Sequence, residues 1–315
     1  MKKKLTMKDI AEMANVSRMT VSRYINGGYV SEENRKVIKK IIETHDFTPN
    51  LYAQSLKKDL NIIGVILPTI NSRTSNKLIK GILDAASDLG YEVIITSCEF
   101  DEEKELLQLQ NYLTLRVRGI ISLYIKADIY FGKGKNNSIV LIGQEDLAVK
   151  SITYPDEAAI TEIIQEIIIP NLNRITKVVS LVDSFRLNMR QIRIRKLCEK
   201  LISDIKYEEV ITENISDFPI DIVLEKGGFY ICATDQIAYN LYSIAEQQGL
   251  AVGKDIFVTG FGDYDMSKRI IPPLTTVKLP YYQSGVAAVS KLLDDENATS
   301  ITMGYTLIVR DSTPK

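Results

Sequence analysis

Apolar residues at helical spacing dominate residues 1–49, and β-branched runs alternating with amphipathic segments fill the remainder. Thr6 is placed to cap a helix beginning near Met7, with Asp9 at its third position as a weak capping box. Ile10, Ala11, Met13 and Ala14 give that helix its apolar face. Asn15, a residue that tolerates the left-handed conformation, breaks the run. Ser17 caps a second helix through Asn26, in which Val21 and Ile25 face inward. Arg18, Met19, Ser22 and Arg23 are left on its other faces, and Asn26-Gly27-Gly28 ends it. Ser31 caps a third helix whose Glu32 and Glu33 suit the helix dipole. Val37, Ile38, Ile41 and Ile42 are its expected buried stripe. Pro49 stops further helix, and Asn50 is placed to cap a short last one over Leu51–Lys57. Two helices around a three-residue turn predict a helix-turn-helix, whose second helix sets its first residues against base edges in the major groove.

Beyond Asn61 the pattern predicts a strand over Ile62–Leu67 and a helix around Asn76–Leu89, ending at Gly90. It continues with a strand over Tyr91–Thr96, a helix over Glu102–Leu115 and a strand over Gly119–Leu123. Further strands are expected at Ile139–Ile142, Val178–Val182, Phe229–Ala233 and Phe257–Phe261, with helices between most of them. Repeated strand–helix units imply parallel sheets covered on both faces, and the length suits two such subdomains. Ligands of such folds sit at the carboxyl ends of the strands.

Charge changes the picture once it is placed along the chain. The 315 residues hold 39 Lys plus Arg and 40 Asp plus Glu, a formal net charge of −1 that looks indifferent to nucleic acid. Residues 1–60 hold 12 basic and 7 acidic residues, a net of +5, which leaves the rest at −6. A basic head on an acidic body points to a polyanion partner for the head. Three scattered cysteines, Cys98, Cys198 and Cys232, argue against a disulfide framework and a structural zinc site and fit a reducing cytosol. The single His45 excludes any metal site needing two histidines; no metal site and no cofactor are expected. No stretch approaches the ~18–20 apolar residues of a membrane span. The basic start has no apolar run behind it, so export is not expected and a cytoplasmic location is.

The run from Met7 to Asn26 resembles the headpiece of the lactose/galactose-repressor (LacI/GalR) family of bacterial transcription regulators. Asp9-Ile10-Ala11 and Val16 through Asn26 carry the likeness, with Val30-Ser31-Glu32-Glu33, Phe47-Thr48-Pro49-Asn50 and the hinge-like Ala53-Gln54-Ser55-Leu56. Ile63-Gly64-Val65, Gly119-Ile120-Ile121, Cys232 through Ala238, Val258-Thr259-Gly260-Phe261 and Pro273 through Val277 extend it across the body. The resemblance implies an all-α helix-turn-helix headpiece over 1–49, a hinge over 50–60 and an α/β effector and dimerisation domain over 61–315. That domain would be periplasmic-binding-protein-like, with two Rossmann-like lobes. One lobe is expected over about 61–152 and 281–305, the other over about 153–280 and 306–315.

Carried over residue by residue, the likeness gives Arg18, Met19 and Arg23 the base-reading positions. An arginine there pairs bidentately with guanine, and Met19 reads by apolar contact. Thr6, Ser17, Thr20, Ser22 and Asn26 become candidate phosphate contacts, with Asn50 and Ala53 at the hinge. Ser17 reads equally as a cap, and Arg23 as a phosphate ligand. Leu56 stands where the family wedges paired leucines into the minor groove, although Leu51 and Leu56 also read as packing residues.

Expected effector contacts are Asn71 and Arg73 after the first strand, Gln144, Ser184 and Arg186 on cleft loops, Arg190, Thr234, Asp235, Asp263 and Tyr281. Tyr281 reads as a sugar-stacking ring or as packing. Thr234 stands where the family commonly has Asn, and Gly262 where it commonly has Asp, which puts sugar contacts at both points in doubt. Arg186, Arg190, Arg193 and Arg195 form a cationic cluster suited to a phosphorylated sugar, or a solvated helix face. The expected function is an effector-responsive repressor of carbohydrate-utilisation genes. It would bind palindromic double-stranded operator DNA as a homodimer, with a sugar or sugar phosphate controlling affinity. A tail without a leucine heptad disfavours a tetramer. No nucleophile elbow, phosphate loop or dinucleotide fingerprint supports an enzyme. Two alternatives remain: a constitutive DNA-binding module with a vestigial effector site, and a sugar-binding transport protein.

Overall fold

Capping and apolar spacing build a small helical unit at the amino terminus. In the computed structural model, residues 5–25, 27–45, 47, 60–70, 73–123, 139–143, 149–183, 189–202, 205–212, 222–294 and 300–314 are described. The chain divides into Met1–Leu60 and Asn61–Lys315. Helix α1 spans Met7–Met13 behind a complete capping box of Thr6 and Asp9. Asn15, at φ 51°, turns the chain into α2 (Arg18–Ile25). Ser31 caps α3 (Glu32–Thr44). Ile10, Ala11, Val21, Val30 and Ile38 form the core of this unit. Two expectations are corrected: Met13 and Val37 are exposed, at 48% and 41%. The buried stripe of α3 runs through Ile38, with Ile41 and Ile42 packed against it. Val37 lies roughly 100° around the helix from Ile38, outside that stripe.

The second unit is built on two six-stranded sheets. In the first lobe the strands are β1 (Leu60–Leu67), β2 (Glu92–Ser97), β3 (Val117–Ser122), β4 (Ile139–Ile142), β5 (Lys150–Thr153) and β11 (Ser300–Thr302), in the order β11-β5-β4-β3-β1-β2. In the second they are β6 (Lys177–Asp183), β7 (Lys206–Thr212), β8 (Gly228–Cys232), β9 (Phe257–Phe261), β10 (Thr275–Lys278) and β12 (Thr306–Ile308), in the order β12-β10-β9-β8-β6-β7. Pairing is parallel throughout the described registers, save for the antiparallel pair of β10 and β12. The chain passes between the sheets after β5, after β10 and between β11 and β12. The first lobe carries α4 (Arg73–Asp88), α5 (Glu102–Leu115) and α9 (Tyr281–Leu293), and the second α6 (Asp156–Ile163), α7 (Met189–Leu201) and α8 (Asp235–Gln247). Helix α4 begins three residues before the expected Asn76, with Ser75 buried inside it. Arg73, expected after the first strand, is the first residue of that helix. No helix among the described residues is long and apolar enough to cross a membrane.

Helices α4 and α9 meet backbone to backbone through two glycines. A Cβ on Gly81 would collide with the Tyr282 carbonyl, and one on Gly285 with that of Leu78. Backbone cannot swing aside as a side chain does. Gly285→Ala is therefore expected to cost about 3 kcal/mol, the upper end of overpacking penalties, in urea unfolding. A midpoint equal to the parent's would show that the two helices separate without cost.

Candidate functional site

On the headpiece, the start of α2 is fixed by its own hydroxyls. Ser17 Oγ accepts from the Thr20 N–H at 3.1 Å and lies 2.9 Å from Thr20 Oγ1. Thr6 is similarly engaged: its N–H and hydroxyl both donate to Asp9 Oδ2 at 2.7 Å. Thr6, Ser17 and Thr20 make local bonds that hold helix ends. Arg18, Met19 and Arg23 are exposed, and a guanidinium nitrogen of Arg23 lies 3.7 Å from Met19 Sδ. One helix face thus carries a cation leaning on an apolar side chain that is 65% exposed. Ser22 is half-buried. Tyr29, 89% exposed just past the Gly27-Gly28 turn, was not anticipated. An aromatic beside a helix-ending glycine pair was the available signal. Asn26, Asn50, Ala53 and Leu56 lie outside the described residues.

In the second unit, the carboxyl ends of β8 and β9 carry two inward-turned carboxylates. Thr234 caps α8, its Oγ1 accepting from the Ile237 N–H at 3.3 Å. Asp235, wholly buried, accepts from the Tyr264 N–H at 3.0 Å, the Ser267 hydroxyl at 2.6 Å and the Thr276 hydroxyl. Gly260 makes room for it, because a Cβ there would strike Asp235 Oδ1. Burial holds the Asp235 carboxyl above the usual carboxylate range, against the opposing pull of these bonds. Asp263, at φ 45°, accepts from Arg310 at 2.6 Å and has Lys268 3.9 Å away. Thr234, Asp235 and Asp263, all expected as effector contacts, each make hydrogen bonds within the fold. Tyr281, read as a stacking ring or as packing, is buried edge-to-face against Tyr154 with ring centroids 5.8 Å apart.

Of the expected cleft residues, Arg73 is brought to the other lobe. Its guanidinium carbon lies 5.9 Å from the Tyr264 ring centroid, Lys77 Nζ lies 5.8 Å away, and Thr74 Oγ1 shares a 2.7 Å hydrogen bond with the Tyr264 hydroxyl. Thr74, Lys77 and Tyr264 were not anticipated. The glycine at 262 was a usable signal: it stands at φ 138°, and a Cβ on it would come 2.7 Å from the Tyr264 ring. Arg190 lies in α7, while Asn71, Gln144, Ser184 and Arg186 lie outside the described residues. Arg195, expected in a cationic cluster, instead pairs with Glu209 of β7. A groove of about 640 Å³, lined by Pro155, Glu157, Thr161, Glu162 and Tyr305 among others, includes none of the expected site residues.

Residues 6–50 match the bacterial regulatory proteins of the lacI family, and residues 204–313 match a periplasmic binding protein-like domain. Among similar proteins is the ribose operon repressor of Bacillus subtilis, 29% identical over 98% of this chain and 99% of its own. Its amino-terminal domain is thus of the lacI type. Catabolite control protein A of Priestia megaterium is 27% identical over 94% of each chain. The lac repressor dimer bound to operator and the anti-inducer ONPF has the same fold, with a TM-score of 0.74 at 23% identity over 99% of this chain and all of that one. A lacI-family regulator from Silicibacter pomeroyi matches at a TM-score of 0.76 and 18% identity, again over 99% of this chain and all of that one. The protein is a DNA-binding transcriptional regulator and not an enzyme.

Proposed function

We propose that the protein is a homodimeric repressor of carbohydrate-utilisation genes that acts in the cytoplasm on a palindromic operator. A sugar or sugar phosphate held between the two lobes of 61–315 would control its affinity. The observation that carries this reading is the exposed face of α2, where Arg18, Met19 and Arg23 stand clear of a core built around Val21. In this reading Arg18 and Arg23 pair with guanines and Met19 meets a thymine methyl. The hinge of residues 50–60 wedges Leu56 into the minor groove. Effector binding closes the lobes, the hinge helices melt and the operator is released, with reciprocal coupling between the two ligands. Names of relatives such as the ribose operon repressor support a sugar effector.

One observation favours a second reading, a DNA-binding module with a vestigial effector site: Asp235 and Asp263 are turned into the fold. Thermal unfolding with matched sugars and sugar phosphates separates the two. A true effector at a hundred times its Kd adds about 2.7 kcal/mol of stability and should shift DNA affinity. A panel in which nothing raises the melting temperature supports the vestigial site. A neutral sugar binding better than its phosphate removes the phosphorylated effector.

A further inference from the structure

Tyr264 belongs to the second lobe, just beyond β9, yet residues of the first lobe surround it. Thr74 reaches its hydroxyl at 2.7 Å, and Arg73 and Lys77 lie 5.9 and 5.8 Å from its ring centroid. Cations at that range are drawn to the ring's electron-rich face. Tyr264 is 5% exposed as a residue, so the contact is a filled one.

The loop that carries it is anchored from below. The Tyr264 N–H donates to Asp235, whose carboxylate also accepts from Ser267, and the Ser267 hydroxyl lies 2.7 Å from that of Tyr239. The preceding Asp263 is held by Arg310, and Arg310 also donates to the Leu274 carbonyl at 2.7 Å. Two buried carboxylates thus fix one short loop. Gly262 completes the arrangement by leaving the space that the ring fills.

We propose that Tyr264 is a clasp across the interlobe cleft: anchored on the second lobe, it holds the start of α4 on the first. Cleft closure is then held in part by the chain's own residues, as an equilibrium that a ligand biases. That regulatory meaning rests on the reading of this cleft as the effector site; the clasp itself does not.

Hydrogen exchange on the full-length protein tests it, using Tyr264→Phe, Thr74→Val and the double variant. Phenylalanine keeps the ring and its packing, so the fold survives the change. Each single variant should speed exchange about fivefold in two segments, residues 77–82 and residues 264–270, the effect of losing one hydrogen bond. The double variant should exceed neither single, because both remove the same bond. Faster exchange in 264–270 alone, no change in either segment, or singles whose effects multiply would overturn the clasp. The measurement uses neither DNA nor sugar, so failure of the proposed function leaves it standing, and its own failure leaves that function untouched.

Discussion

Asp235→Ala is expected to lower stability by about 3–5 kcal/mol, because three donors lose their acceptor and each orphaned buried donor costs about 1–3 kcal/mol. The donors are the Tyr264 N–H and the hydroxyls of Ser267 and Thr276, which arrive from a loop and a neighbouring strand. Asp235 is wholly buried, so bulk solvent does not replace the lost acceptor. For a body of this size the melting temperature should fall by about 10 °C. Asp235→Asn should be much milder. One carbonyl oxygen can still accept from Tyr264 and Ser267, and the Thr276 hydroxyl can turn to accept from the new amide. An alanine variant within about 1 kcal/mol of the parent would refute the structural role given to this carboxylate. The same residue has a pH signature. Burial raises its carboxyl above the ordinary value of 3.8. The native state then binds a proton that the unfolded chain has already released. Its contribution to stability falls as pH rises from 3.8 to the raised value and is flat above it. Asp235→Asn removes that slope, which unfolding titrations between pH values of about 3 and 7 would read.

The second large effect concerns DNA. Arg18→Ala should weaken binding to a preferred site by about 1–3 kcal/mol per half-site and relax the preference at one base pair. Arg18 is exposed at the start of α2 and takes no part in the headpiece core, so the headpiece should keep its melting temperature. Ser17→Ala provides the contrast. Its hydroxyl caps α2 through the Thr20 N–H, so its loss should cost about 1 kcal/mol of headpiece stability and weaken all sequences alike. Fluorescence anisotropy on matched and single-mismatch duplexes checks both variants. If Arg18→Ala weakens every duplex equally, Arg18 holds phosphate rather than a base.

The headpiece was legible in the sequence because its signals are local. Thr6 with Asp9, Ser17 with Thr20 and Ser31 with Asn34 each act over three residues. Val37 was misplaced because one step around a helix moves a side chain off its stripe. The longer central strands were also legible, since β8 and β9 are mostly apolar and buried along their whole length. Strand β7 escaped because it carries Lys206, Glu208 and Glu209 at a sheet edge, where charge is tolerated and hides the apolar pattern. Strands β11 and β12 have three residues each, too few for a period to appear.

The cleft was the least legible part, because its contacts are distant in sequence. Asp235 finds its donors 29 to 41 positions away, and Thr74 meets Tyr264 across 190. Family likeness placed Asp235 and Asp263 at the strand ends. Only the packed structure shows both carboxylates turned inward, and Tyr264 reaching across in the space left by Gly262.

Selection of bound duplexes from a random-sequence library by the full-length protein tests the central claim, sequence-specific DNA recognition, most directly. One motif of two symmetry-related half-sites should emerge, bound at least about 10³-fold more tightly than random DNA at physiological salt. Recovery of no common motif, with equal affinity for every duplex, would contradict the account.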